Sequence, residues 1–392
     1  MDKKVKVGVI GIGNMGSAHA SCVAAGEIKG MELIAVCDIA EDRLEKCEKA
    51  FPNVARYTDW QEMLKNPDMD AVIIAVPHPF HAQIAMAALK AGKHVQLEKP
   101  VDISVSRAEA LNQVAEAAGK VFSITFNQRN NDLFHKAREI VKSGILGELK
   151  RSVWINTNWY RTQYYYDSGT WRATWRGEGG GVLLNQAPHN LDLWQWICGM
   201  PCEITGFCDV AKYHNIEVED DVTIFARYPN GATGTFITTT GEAPGTNRLE
   251  ISGTKGKMVL ENSLIKLWKL KEDERDVCKN AKENSLLFSC DYEEFSFNIE
   301  VASHIGILQN FTNAILYGEE LLAPGIEGIR SLTISNAAYL SAWNGSIPVK
   351  LPIDNAEFDR KLQERIENSS LKLSEEREKF NTAYQQRWQV NW

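Results

Sequence analysis

The sequence predicts an α/β protein: an N-terminal doubly wound parallel sheet followed by an α+β half with a large antiparallel or mixed sheet. Three observations carry that prediction. Short apolar runs alternate with helix-like segments through the first third of the chain. A glycine-rich turn, Gly11-Ile12-Gly13-Asn14-Met15-Gly16, stands directly after the first run. From about Lys150 the pattern changes to strand after strand with few helices between. Alternating strands and helices imply a parallel sheet, whereas consecutive strands favour antiparallel pairing.

In the first third the expected strands are Val5–Ile10, Glu32–Cys37, Ala71–Val76, His94–Leu97 and Val121–Phe126. They are rich in Val and Ile with little polar alternation, as expected of strands covered on both faces. The expected helices are Met15–Ala25, Glu41–Ala50, Phe80–Ala91 and Val105–Ala118. Asp42, Pro79 and Ser104 supply start signals, and Gly92 and Gly119 supply stops.

In the second half, Leu149–Thr157, Asp221–Arg227, Ala232–Thr239, Arg248–Ser252 and Lys257–Leu260 read as strands. The turns Pro229-Asn230-Gly231 and Gly253-Thr254-Lys255-Gly256 join several of them. Long helices are expected at Leu183–Cys198, His304–Leu316 and Glu327–Trp343. After Pro352 the composition shifts again. Asn355 to Tyr384 is highly charged and reads as a solvated helix, ending in an aromatic cluster with Trp388 and Trp392. That tail is expected to pack on its own chain, or else to dock on a neighbouring subunit or shape the pocket. The division is therefore residues 1–126, 127–352 and a charged extension, 353–392.

A chain of 392 residues suits two ordinary domains. Its formal net charge of -8 speaks against a general nucleic-acid or membrane-surface role, because phosphates attract basic surfaces. The opening Met1-Asp2-Lys3-Lys4 leads straight into a run too short to span a bilayer, so a cytoplasmic protein is expected. The eight cysteines are scattered and expected to be reduced. Cys198, Cys202 and Cys208 lie near His214, but their spacing fits no common zinc motif, and no metal is expected.

The glycine-rich turn has a physical reading. Gly11 permits a tight turn, Gly13 leaves room for a pyrophosphate against the backbone, and Gly16 lets helix and strand pack closely. The helix N-terminus then offers unpaired N–H groups and a positive dipole end. Asp38, at the end of the second strand, can accept hydrogen bonds from both ribose hydroxyls and would repel the extra phosphate of NADP. NAD is therefore expected over NADP. Asp38 could equally cap the helix starting near Glu41.

At Glu98-Lys99-Pro100 the sequence resembles the Gfo/Idh/MocA family, the glucose-fructose oxidoreductase and inositol dehydrogenase group. The matching features are Gly11 to Gly16, Pro77-His78-Pro79-Phe80-His81, Glu98-Lys99-Pro100, Phe126-Asn127-Gln128-Arg129, Trp171-Arg172, and Gly179-Gly180-Gly181 with Asn185 and His189. Their order agrees with the family over most of residues 1–352. The resemblance implies a Rossmann domain followed by a large open, mainly antiparallel sheet, with substrate held between that sheet and the nicotinamide. It implies that Pro77, His78, His81, Glu98, Lys99, Asn127, Trp171 and Arg172 surround the cofactor together with the glycine-rich turn. It also implies a homodimer or homotetramer paired through an exposed sheet face.

Oxidising a secondary alcohol sends a hydride to the nicotinamide and a proton to a base. A lysine beside the developing alkoxide stabilises its charge, and a histidine within reach can take the proton. Lys99 and His189 are the candidates. Asn185, four residues before His189, is expected on the same helical face. The commoner family pattern has Asp there, so Asn185 puts a strict Asp–His relay in doubt and shifts weight to Lys99. Around these, Gln128, Arg129, Tyr160, Arg172 and Trp175 are expected to hold the substrate, because aromatic side chains stack on sugar rings while amides and guanidinium groups take the hydroxyls. The expected function is an NAD-dependent dehydrogenase of a sugar, glycoside or cyclitol. A glycosidase working by transient oxidation with tightly bound NAD, and a non-catalytic NAD or sugar sensor, are the alternatives.

Overall fold

The protein is described by a computed structural model covering residues 4–297 and 304–370. The first sheet begins with β1 (Val5–Ile10), α1 (Asn14–Ala24), β2 (Met31–Cys37), α2 (Glu41–Ala50), β3 (Ala55–Tyr57), α3 (Trp60–Leu64) and β4 (Ala71–Ile74). It continues with α4 (His81–Lys90), β5 (His94–Leu97), α5 (Val105–Ala118) and β6 (Phe122–Ile124). Among the described residues its order is β3-β2-β1-β4-β5-β6, and every pairing is parallel. The order reverses between β1 and β4, so a crevice opens at their carboxyl ends, where ligands bind in doubly wound sheets. All four residues of β4 are buried, which explains the continuous Ala-Val-Ile-Ile run. The short β3 carries too little apolar sequence to stand out from its pattern.

The second half comprises α6 (Asp132–Lys142), β7 (Leu149–Asn156), α7 (Gln163–Asp167), α8 (Pro188–Cys198), β8 (Glu203–Val210), β9 (Glu219–Arg227) and β10 (Thr233–Thr239). Then come β11 (Asn247–Gly253), β12 (Gly256–Glu261), β13 (Leu264–Leu270), α9 (Glu274–Asn280), β14 (Cys290–Ser296), α10 (His304–Tyr317), α11 (Gly328–Trp343), β15 (Val349–Lys350) and α12 (Asn355–Glu367). The strands form one mixed sheet of order β14-β13-β12-β11-β7-β10-β9-β8-β15, with β7 and β10 the parallel pair. Burial alternates along β9 and β10, so one face lies under the helices and the other stays open.

Three differences from the sequence reading have physical causes. Helix α8 starts at Pro188, not at Leu183. The backbone before it turns instead, because Glu219 accepts from the N–H groups of Gly181 and Leu183 through its side chain and of Val182 through its carbonyl. Pro188, with no N–H to lose, then opens the helix. Helix α10, placed by sequence with the second domain, packs on the first sheet, where Leu308 and Phe311 join the core of Val5, Val7 and Val9. The charged extension is helical over Asn355–Glu367 and lies on its own chain. Phe358 stacks on Trp343 at 5.3 Å, and Asp359 accepts from Ser104 Oγ and Ser106 Oγ at 2.5 and 2.6 Å. The remainder of the expected helix, with Trp388 and Trp392, lies outside the described residues.

Candidate active site

The loop from β1 to α1 has the form that the glycine pattern demands. Gly11 adopts φ +89°, and a Cβ there would lie 2.5 Å from the Ala75 carbonyl oxygen. A Cβ on Gly16 would lie 1.7 Å from the Gly11 carbonyl oxygen, so the helix rests directly on the loop. Gly13 is different: a Cβ would meet nothing nearer than an Arg43 nitrogen at 3.9 Å. The space above it is a cradle that only a side chain would fill. Helix α1 has no side-chain cap at Gly13 and no acidic residue in its first turn, so its leading N–H groups, with Asn14 and Met15 at the rim, can serve a pyrophosphate.

Asp38 binds this loop. Its carboxylate accepts from Ile12 N at 2.7 Å and from Ala40 N at 2.9 Å. Helix α2 has Ala40 as its N-cap and no side-chain cap, so Asp38 ties the loop to β2 and does not cap the helix. Arg43 reaches Asp38 at 3.2 Å. The residues thus fit a dinucleotide: an open cradle, a free helix N-terminus, and a buried carboxylate where the ribose would lie.

Past the cradle, the loops after β4, β5 and β6 converge with the segment before α8. Lys99 Nζ donates to the carbonyl of Asn185 at 2.7 Å. Glu98 accepts from the ring of His19 at 2.8 Å, joining the β5 loop to α1. His78 Nδ1 donates to the Glu178 carbonyl at 3.0 Å and packs edge-on to Trp171, with centroids 5.7 Å apart. Trp171 also carries the Arg172 guanidinium over its ring at 4.6 Å. His189, on the first turn of α8, lies edge-on to Phe126. Its Nδ1 is buried with no hydrogen-bond partner among the described residues.

A second ring of contacts organises this cluster. The Tyr165 hydroxyl accepts from Arg172 at 3.0 Å, Gln186 Nε2 at 3.2 Å and Asn185 Nδ2 at 3.3 Å. The Asn185 amide also donates to the Glu178 carboxylate, whose other oxygen accepts from Ala173 N at 2.5 Å.

Burial governs the electrostatics. It lowers the Lys99 pKa to about 8, with Arg172 and Arg161 pushing the same way and Glu98 and Glu178 opposing. It holds His189 well below the usual histidine value, helped by the Lys99 charge, and brings His304 down to about 4. Burial alone would raise Glu98, but His19, His304 and Lys99 together bring it to about 2. At neutral pH the site therefore holds an ammonium, a carboxylate and a neutral His189 imidazole able to accept a proton.

Four sequence-based assignments change. Asn185 precedes α8, so it does not share a helical face with His189; its carbonyl faces Lys99 and its amide faces Glu178. His81 is fully buried, its ring nitrogens against the carbonyls of Pro100 at 2.6 Å and Val76 at 2.8 Å. It fastens two loops and offers the cofactor no polar atom. Arg129 is 1% exposed and saturated by a bidentate pair with Asp192, at 2.7 and 2.8 Å, and an ion pair with Glu327. It therefore cannot reach a substrate. Trp175 is buried and packs edge-on to Tyr339 and Trp343, away from the cluster around Lys99.

Asn127 and Gln128 lie buried in the turn after β6, and Gln128 accepts from Asn131 at 3.4 Å. Pro77 leads the turn that carries His78, and Tyr160 is half exposed on the loop after β7. The triple glycine packs against protein, with Gly180 under Tyr339 and Gly181 against Glu219. Sequence reasoning passed over His19, Glu178 and His304. The available signals were a histidine one turn into the helix after the glycine loop, and an acidic residue immediately before three glycines.

Fold and cradle together define an NAD-binding oxidoreductase. Residues 5–126 match the NAD-binding Rossmann fold of the GFO/IDH/MocA oxidoreductase family, and residues 134–259 match that family's C-terminal domain. The chain belongs to this family. It is 26% identical over 264 residues to myo-inositol 2-dehydrogenase of Thermotoga maritima, covering 66% of this chain and 75% of the relative. It is 23% identical over 366 residues to the NAD-dependent scyllo-inositol 2-dehydrogenase of Bacillus subtilis, covering 91% and 99%. The WlbA dehydrogenase of Bordetella pertussis, solved with NADH and UDP-GlcNAcA, superposes with a TM-score of 0.75 at 25% identity, covering 90% of this chain and all of that one.

Proposed function

We propose that the protein moves a hydride between NAD and a secondary hydroxyl or ketone of a sugar, glycoside or cyclitol, with Lys99 at the reacting oxygen and His189 as the proton acceptor. The observation that carries this reading is the Lys99 ammonium, fixed on the Asn185 carbonyl, acting on a neutral histidine whose Nδ1 has no partner among the described residues. When bound, NAD supplies the hydride acceptor. The chain supplies the rest. Gly13 and the α1 N-terminus receive the phosphates, and Asp38 receives the ribose. Lys99 stabilises the negative charge that develops on the substrate oxygen. His189 takes the hydroxyl proton in one direction and returns it in the other. Arg172 and the Tyr165 hydroxyl stand where substrate hydroxyls would be read.

The relatives named above act on inositols, and the WlbA structure holds a nucleotide sugar acid, which supports a polyhydroxylated ring as substrate. The open face of the second sheet, with Phe207 half exposed, is the surface through which copies would pair in a homo-oligomer. Light scattering of the purified chain tests this; a strictly monomeric mass overturns it.

The functional test is a panel of inositols, hexoses, uronates, glycosides and nucleotide sugars, assayed for NADH formation with wild type and Lys99→Ala. The expected result is turnover of a ring alcohol by wild type that is lost in the variant. A glycoside cleaved without net NADH would replace this reading with oxidation and elimination. Equal turnover by Lys99→Ala would remove Lys99 from the chemistry.

A further inference from the structure

We infer that Glu178 is a positioning residue of the site: its buried carboxylate holds Asn185 against the Lys99 ammonium and supplies negative charge that keeps that ammonium protonated. The inference rests on the proposed role of Lys99, and it begins from an excess of charge. Glu178 is 1% exposed on a turn between Trp171 and α8, and each carboxylate oxygen has one N–H donor, from Asn185 and from Ala173. A neutral glutamine would satisfy both contacts. Its carbonyl would accept from Ala173 N, and the Asn185 amide would turn over to present its oxygen. Hydrogen bonding therefore does not require the charge, and burying a carboxylate costs free energy unless cations compensate it. Burial raises the Glu178 carboxyl above its usual range, and the cations that oppose this and favour its charged form are Arg172 and Lys99.

The geometry makes the coupling specific. Asn185 bridges the two groups, with its backbone carbonyl 2.7 Å from Lys99 Nζ and its side-chain amide on Glu178. Glu178 also fixes the other side of the cleft, because its own carbonyl accepts from His78 at 3.0 Å. The charged and titratable groups around Lys99 come from several elements: Glu98 beside it, Glu178, Arg172 and Arg161 from the segments before α8, and three buried histidines held below the usual histidine value, His78 before α4, His189 on α8 and His304 on α10. Of the two carboxylates, Glu98 is already committed to His19 at 2.8 Å. Glu178 is thus the second anion beside Lys99, where Arg172 and Arg161 add positive charge.

The test reads Lys99 directly and needs no substrate. The full-length protein is acetylated with trace acetic anhydride across a pH series. Lys99 modification is quantified by peptide mass spectrometry against surface lysines in the same digest. Removing the anion makes the ammonium less stable, so Glu178→Gln should lower the Lys99 midpoint by roughly half to one pH unit, the scale of one screened charge at this range. The double variant Glu178→Gln/Asn185→Asp returns a carboxylate one hydrogen bond away and should bring the midpoint back toward wild type. A residue that merely braces the turn would show neither the fall nor the rescue. A midpoint unmoved in Glu178→Gln, or a fall that the double variant leaves in place, overturns the inference. Should Glu178→Gln lose its folded circular dichroism, Glu178→Asp withdraws the carboxylate by one methylene. A lowered midpoint then supports the inference and an unmoved one overturns it. The Lys99→Ala turnover assay fails or succeeds separately, so the role of Lys99 and the role of Glu178 are judged apart.

Discussion

Alanine at Gly13 and at Gly16 should differ in their effect on stability, although the two glycines sit only three residues apart at the start of α1. At Gly16 the new methyl would lie 1.7 Å from the Gly11 carbonyl oxygen and 2.9 Å from its carbon. Ordinary contact needs about 3.5 Å, so loop and helix must separate by roughly 1.5–2 Å. The clashing atoms are backbone and cannot rotate away. Overpacking of this kind costs about 1–3 kcal/mol, and the displaced helix also loses its aim at the pyrophosphate. At Gly13 the new methyl meets nothing within 3.9 Å, and the backbone angles, φ -76° and ψ -160°, suit alanine. The fold should be indifferent, but the methyl occupies the cradle. Urea unfolding and NAD titration calorimetry separate the two effects. Gly16→Ala should lower the urea midpoint and weaken NAD together. Gly13→Ala should keep the wild-type midpoint and weaken NAD at least tenfold, about 1.4 kcal/mol. Normal NAD affinity in Gly13→Ala would refute the placement of the pyrophosphate, and wild-type stability in Gly16→Ala would refute the packing argument.

Further outcomes follow from other parts of the structure. Asp192→Asn strands the buried Arg129 guanidinium and should cost about 3–5 kcal/mol in urea unfolding, as breaking a buried pair does; a loss below 1 kcal/mol would mean that Glu327 alone suffices. Lys99→Ala should lower turnover by roughly 10²–10⁴ while NAD affinity, read by calorimetry, stays within a few fold. Asp38→Ser removes the carboxylate and releases Arg43, so the ratio of NAD to NADP affinity should fall at least tenfold; an unchanged ratio would show that Asp38 does not select the cofactor. Burial pushes Glu219 up to about 7 against hydrogen bonds from Tyr339, Leu183 and Gly181. A carboxyl raised in the folded state contributes stability that is complete below its unfolded value near 4.5 and lost as pH rises through about 7. Between pH 5 and 8 the urea midpoint should therefore fall more steeply in wild type than in Glu219→Gln, and parallel curves would contradict the assignment.

Sequence reading succeeded where the physics is local. The glycine spacing demanded a turn between a strand and a helix, and Gly11 and Gly16 show the contacts that forbid any side chain. The buried runs of β1, β4 and β5 needed no alternation because both faces are covered. Reading was weaker where a distant group decides a local conformation. Nothing near residues 183–187 announces that Glu219 will take their backbone N–H groups and delay α8 to Pro188. Nor could the run Phe126-Asn127-Gln128-Arg129 show that its arginine turns inward to Asp192 and Glu327. Composition marks an arginine as available for binding, and only the carboxylates of other segments make it unavailable.

The sequence by itself therefore determined the class of fold, the dinucleotide cradle with its acidic companion, and the presence of a lysine and a histidine suited to alcohol chemistry. The fold class and the cradle follow from backbone sterics and side-chain periodicity over a few residues, whereas the lysine and the histidine rest on the family resemblance. The tertiary structure decided which side chains share a space. It took Arg129, His81 and Trp175 out of the cleft, moved Asn185 from a helical face to the Lys99 ammonium, and brought in His19 and Glu178 from segments far apart in the chain. The physical reason is that charge and desolvation act through space: the state of Lys99 depends on Glu98, Glu178, Arg172 and Arg161, and no spacing rule relates those four positions.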